Sequence, residues 1–163
     1  MIHPTAIIHP SAKLHESVRV GPYSVIDEHV TVGAGCELAP HVHLTGHTTI
    51  GAENRFHTGC VIGDAPQDLK YGGEPTWLRI GDRNLFREHV TAHRSNTPSE
   101  DTRIGTKNFF MANSHIGHNS IIGNNVILAN GVLIAGHVII GDGAFIAGNA
   151  VVHQFCRVGT MAM

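Results

Sequence analysis

Stepping in sixes from Ile2 to Val158 gives 27 positions, and 24 of them carry Ile, Val, Leu, Phe or Ala. At an overall hydrophobic fraction of 42%, chance would put about 11 such residues there. The exceptions, Asp68, Glu74 and Pro98, fall in two polar stretches, and elsewhere the register never slips. An amphipathic helix repeats its apolar residues at three and four, so a beat of six predicts short strands separated by tight turns. Gly often follows the apolar anchor, as at Gly21, Gly33, Gly51, Gly105, Gly123 and Gly141. Because glycine tolerates positive φ, these residues predict a corner immediately after each strand. Three hexads then close a triangular coil of 18 residues with an anchor pointing inward at every corner. Coils stacked by strand hydrogen bonds at about 4.8 Å build a prism of roughly seven to nine coils.

The remaining composition narrows the class. At 163 residues one domain is the expectation, and no apolar run reaches the roughly 18 residues a membrane-spanning helix requires. The repeat begins at Ile2, which leaves no room for a signal peptide and predicts an intracellular, cytoplasmic protein. A net charge of -2 gives no argument for nucleic acid. Six of the eleven Lys and Arg residues (Arg79, Arg83, Arg87, Arg94, Arg103, Lys107) nevertheless crowd into one third of the chain. They read either as a solvated face or as a landing site for an acidic partner. Cys36, Cys60 and Cys156 each lie two residues before an anchor, which makes them reduced fillers of the prism interior.

Function is expected where the pattern breaks, since loops thrown out from a rigid scaffold carry it. One polar stretch runs from Asp64 to Thr76 and a second from His93 to Asp101. Phase alone leaves open whether they replace strands or are added to them. Histidine is the other anomaly, with 14 residues. His3, His9, His15, His29, His41, His43, His47 and His57 occupy non-anchor positions and read as surface or turn residues. The later ones differ: residues 18 apart share one side of adjacent coils, so His118, Gly136 and Gln154 form a column. His137 and His153 flank it, and His115 lies three residues before it. An imidazole beside a backbone N–H with no Cβ in the way is the geometry of a general base next to an oxyanion donor. Acyl transfer to a sugar hydroxyl requires that pair and no covalent enzyme intermediate.

The segments Gln67 to Thr76, Ile80-Gly81-Asp82-Arg83-Asn84, His93-Arg94, His115-Ile116-Gly117-His118, Leu128-Ala129-Asn130, Ala135-Gly136-His137-Val138 and Val152-His153-Gln154-Phe155 together resemble the UDP-N-acetylglucosamine 3-O-acyltransferases. These belong to the hexapeptide-repeat family and open lipid A synthesis. The resemblance spans essentially the whole chain and implies a left-handed parallel β-helix. It implies His118 as the base that deprotonates the glucosamine 3-hydroxyl and the Gly136 amide as oxyanion donor. His115, His137, His153 and Gln154 are similar to residues lining the sugar-nucleotide and acyl-pantetheine cleft. Asp68 and Lys70 resemble a pair that contacts substrate from across a subunit boundary. The family is a homotrimer and needs no metal or cofactor beyond its co-substrate, an acyl group on acyl carrier protein. That acidic carrier would give the basic cluster a partner.

Two departures from the family pattern carry consequences. The residue after the catalytic histidine is usually aspartate, and here it is Asn119. A neutral amide orients an imidazole but adds no charge, so His118 is expected to work more weakly or with a lower proton affinity. The chain also stops at Met163, before the family's last coils and helical C-terminal region, which predicts a single β-helix domain, 1–163, that is a fragment. Two other readings of the same fold stand beside acyl transfer. One is an inactive trimeric sugar-nucleotide-binding scaffold. The other is a zinc enzyme like the γ-type carbonic anhydrases, with histidines from two prisms around the metal.

Overall fold

The hexad beat becomes 23 short parallel strands, most of them two residues long, in three sheets of eight, eight and seven. The computed structural model describes residues 1–163. The chain is a left-handed parallel β-helix, each coil giving one strand to each sheet. A first sheet contains Ile7–Ile8, Val25–Ile26 and, further along, His115–Ile116 and Leu133–Ile134. A second contains Ile121–Ile122 and Ile139–Ile140, and a third contains Phe109–Phe110 and Ile127–Leu128. Stacked partners are 18 residues apart in the regular part, as in Ile7↔Val25 and His115↔Leu133.

That spacing changes twice. Across the first polar stretch the partners are 30 apart (Val61↔Thr91), an excess of 12 over 18, and across the second they are 24 apart (Thr91↔His115), an excess of 6. The loops are therefore added to the coil and replace no strand. Their added lengths equal two hexads and one, which is why the beat keeps its phase and fails at three positions.

Anchors such as Ile26, Leu44, Ile116 and Ile134 are the second residue of a strand and point inward from the flat faces. This corrects their expected place at the corners. The residue two before each anchor also points inward, which gives Val18, Val42, Val90, Val126 and Val138 to a continuous core of 31 buried apolar side chains. Phe56, Phe86 and Phe110 stack through it with ring centroids 4.7 and 4.9 Å apart. Cys36 and Cys60 are buried in this core, and burial raises both thiols, Cys60 to about 12. Cys156 departs from the expectation: it is exposed, at the inward position of the last coil.

Of the glycines after the anchors only Gly63, at the start of the first loop, has positive φ (92°). In most turns the left-handed residue is the second, three after the anchor, as at His29 (63°), His41 (59°), Asn113 (61°) and His137 (59°). Asn and His tolerate that region better than most residues, which accounts for part of the histidine excess. His3, His9 and His15 serve differently, each accepting a turn N–H through Nδ1 (from Thr5, Ser11 and Ser17, 3.2–3.3 Å). Glycine after the anchor has another cause. A Cβ on Gly33 would lie 2.6 Å from the Gly51 oxygen, and one on Gly117 would lie 2.7 Å from the Ala135 carbonyl carbon. Stacking at strand spacing leaves no room there for a side chain.

Candidate active site

His118 and Asn119 form the turn between the strands His115–Ile116 and Ile121–Ile122, at the corner where the first sheet passes to the second. Asn119 takes the left-handed residue of that turn, with φ of 58°. His118 is only 7% exposed, so its ring is held in place. Its Nδ1 lies 3.0 Å from Asn119 Oδ1. The backbone N–H of Asn96 also donates to that oxygen (2.9 Å), while Asn119 Nδ2 donates to Glu100 Oε2 (2.9 Å). A backbone N–H can only donate and a carboxylate can only accept, so the amide has one orientation. His118 Nδ1 must then carry the hydrogen, which leaves Nε2 with a free lone pair.

Gly136 stacks against this ring. A Cβ built on it would lie 2.6 Å from both Cε1 and Nε2 of His118. Its N–H has no hydrogen-bond acceptor. The corresponding turn N–H groups on another edge of the prism are capped from the next coil: Ala52 by Asp82, Thr106 by Asn124, and Asn124 by Asp142. At Gly136, a buried residue, the N–H stays unpaired beside an imidazole, and that pair can accept a proton and hold an oxyanion.

Other imidazoles surround His118. His137 meets it edge to face at 5.2 Å, and Phe155 stacks on His137 at 4.8 Å. His115, bonded through Nδ1 to Thr91 Oγ1 (2.7 Å), packs its ring against His93 at 4.7 Å. Burial pushes His115 down to about 4, aided by the positive charge that His93 and His118 can carry. Burial also lowers His93, against the raising effect of Asp64, and lowers His137, with the charge on His118 adding to it. Burial thus disfavours the charged form of all three neighbours.

Both added loops end here. Asn96 Nδ2 donates to Asp68 Oδ2 (2.7 Å), so first loop, second loop and His118 turn form one connected set. The backbone N–H of Lys70 and then the Asn96 amide hold Asp68 below the usual carboxylate range. Arg94 secures the first loop from behind, donating to the Gly63 carbonyl (2.8 Å) and to Tyr71 Oη (3.3 Å). Asp68 is thus linked through Asn96 to the His118 turn of its own chain. The Lys70 side chain is exposed and makes no ion pair. A cleft of about 340 Å³ opens beside the turn, lined by Glu100, Asn119, Ile121 and His137 among others.

The column expected from spacing is partly realised. His118, Gly136, His137 and His115 come together. Phe155 N–H reaches the Gly136 carbonyl (3.4 Å), which keeps the next coil in register. His153 and Gln154 are exposed, and the His153 ring bonds only to the Gln154 carbonyl (3.3 Å). The basic cluster divides: Arg79 and Arg103 flank Asp101 (2.6 and 3.6 Å), Arg87 pairs with Glu88 (2.9 Å), and Arg94 turns to the loop. No three His, Cys, Asp or Glu side chains of the chain converge as metal ligands, so the zinc reading survives only with ligands from a second prism. Asn96 and Glu100 had no sequence signal, because their partners depend on how the second loop folds back. His93 is hidden by the same loop, since its stacked separation is 24 and not 18.

A stacked hexad prism is the architecture of the hexapeptide-repeat class, and here it carries a buried histidine turn. The family model described as bacterial transferase hexapeptide (six repeats) matches residues 11–46 and 101–136. The chain is 51% identical over 164 residues to an acyl-[acyl-carrier-protein]–UDP-N-acetylglucosamine O-acyltransferase of Herminiimonas arsenicoxydans, covering 100% of this chain and 63% of that one. It is 50% identical over 119 residues to the Saccharophagus degradans protein of the same name, covering 72% of this chain and 46% of that one. The solved structure of LpxA from Acinetobacter baumannii superposes with a TM-score of 0.94 at 48% identity, over 97% of this chain and 62% of that one. The chain belongs to the UDP-N-acetylglucosamine O-acyltransferase family. It spans about half to two thirds of the length of the curated relatives it matches.

Proposed function

We propose that the chain carries the acyl-transfer centre of an enzyme moving a 3-hydroxyacyl group from acyl carrier protein to the 3-hydroxyl of UDP-N-acetylglucosamine, the first step of lipid A synthesis. The observation that supports this most is a histidine whose free Nε2 faces a glycine with an uncapped N–H. In this reading His118 Nε2 removes the proton from the sugar hydroxyl as its oxygen attacks the thioester carbonyl. The new C–O bond forms while the carbonyl oxygen, now negative, is held by the Gly136 N–H. Collapse expels the carrier's thiolate, which takes the proton back from Nε2. His115, His137, His153, Gln154, Asp68 and Lys70 are assigned to binding the sugar nucleotide and the acyl-pantetheine arm. The working form is a homotrimer whose neighbouring prism encloses the cleft, and it acts in the cytoplasm with acidic carrier protein docking near the unpaired basic residues.

A coupled assay with hydroxyacyl carrier protein and UDP-N-acetylglucosamine tests the reading. His118→Ala is expected to lose at least about two orders of magnitude in kcat. An unchanged rate would remove His118 from the chemistry. UDP-N-acetylglucosamine binding by the wild type without any transfer would favour the scaffold reading.

A further inference from the structure

Asn119 is neutral, yet a carboxylate stands directly behind it: Glu100 Oε2 accepts from Asn119 Nδ2 at 2.9 Å, and Asn119 Oδ1 meets His118 Nδ1 at 3.0 Å. We propose that Glu100 is a positioning residue for the base, acting through the Asn119 amide to fix the His118 tautomer and to supply the negative charge that the amide lacks. This rests on the acyl-transfer reading of the site.

Donors and acceptors around the amide decide its orientation. Were the Asn119 amide reversed, its NH₂ would face the Asn96 N–H and His118, and Nδ1 would have to accept. Nε2 would then carry the hydrogen and have no lone pair for a sugar hydroxyl. Glu100 opposes that reversal, because only the observed orientation offers its carboxylate a donor. Its charge also favours the imidazolium that forms during transfer, through a hydrogen-bonded amide that polarises toward it. The effect is modest, since the Glu100 side chain is 60% exposed. The same geometry explains why asparagine belongs at 119. An aspartate there would set two carboxylates about one hydrogen-bond length apart, and such a pair cannot both stay ionised cheaply. Glu100 paired with Asn119, and a neutral residue at 100 paired with an aspartate at 119, are two alternative solutions to one requirement.

Other groups facing this relay are His137, whose Nδ1 lies 3.8 Å from Glu100 Oε2, then His93, His115, and Asp68 through Asn96. They are common to every variant below, so differences between variants report on positions 100 and 119. The full chain is compared as wild type, Glu100→Ala, Glu100→Gln, Asn119→Asp and the double variant Glu100→Gln/Asn119→Asp. The measurements are the pH profiles of kcat and kcat/KM, and the His118 tautomer from ¹⁵N shifts.

Glu100→Gln should lower kcat several-fold and move the acidic limb to lower pH. Glu100→Ala should lower kcat about 10-fold and raise the Nε2–H tautomer. Asn119→Asp alone should also lose about 10-fold, while the double variant returns to within about 2-fold of wild type. Effects that simply multiply in the double variant, with an unchanged tautomer in Glu100→Ala, would overturn the role of Glu100 while leaving acyl transfer standing. A wild type that transfers no acyl group would overturn acyl transfer, and the tautomer comparison would still decide on Glu100.

Discussion

One methyl group separates glycine from alanine, and at position 136 that methyl would lie 2.6 Å from the His118 ring. The backbone there has no need of positive φ, so alanine is disfavoured by the imidazole alone. Gly136→Ala is therefore expected to displace the ring and reduce kcat about 10- to 100-fold, with little change in thermal stability. Gly33→Ala gives the opposite outcome. Its Cβ would meet the Gly51 backbone oxygen at 2.6 Å, which cannot move aside as a ring can. A loss of about 1–3 kcal/mol in denaturant unfolding is expected, with turnover per folded molecule unchanged. Full activity in Gly136→Ala would show that the glycine does not set the ring's position.

Among the elements, the two added loops differ from the coil in what holds them. Coil strands share a continuous core, whereas the first loop is held to the prism largely by polar contacts of Arg94 and Asn96. Arg94→Ala removes the bonds to Gly63 and Tyr71 together, and also a guanidinium 5.6 Å from the Tyr71 ring. It is expected to raise amide exchange across residues 65–76 and to increase KM for the sugar nucleotide about 10-fold through Asp68, with the melting temperature nearly unchanged. A change in global unfolding with no change in loop exchange would place Arg94 in the scaffold instead.

For the whole molecule, pH acts through two sets of groups. His115, His93 and His137 are held below the ordinary imidazole range by burial. The unfolded chain therefore binds more protons than the folded one between about pH 6.5 and the folded-state values, and stability falls as pH drops through that window. His115, at about 4 in the folded state, accounts for on the order of 3 kcal/mol at most. His115→Gln should flatten the loss measured by denaturant unfolding between pH 7.5 and 5. Asp68 and Glu88, lowered by hydrogen bonds, contribute in the same direction but in a separate window, near and below pH 4. An unfolding midpoint independent of pH from 7.5 to 5 would contradict the lowered proton affinity of these histidines.

The beat of six determined the prism by itself, because every inward anchor is local to its own hexad and the same turn recurs along the chain. It also placed His118 beside Gly136, since both lie beyond the loops where the spacing is a constant 18 residues. It misplaced the turn, assigning positive φ to glycines such as Gly33 when His29, His41 and Asn119 carry it, because close stacking and turn geometry both favour glycine and composition does not separate them. Asp68, His93, Asn96 and Glu100 join the site only in three dimensions. Their contacts depend on the paths of two loops whose lengths are whole hexads and leave no trace in the phase. The same holds for Asn119: its neutrality is visible in the sequence, but the carboxylate behind it is brought there by a loop folded back against the coil.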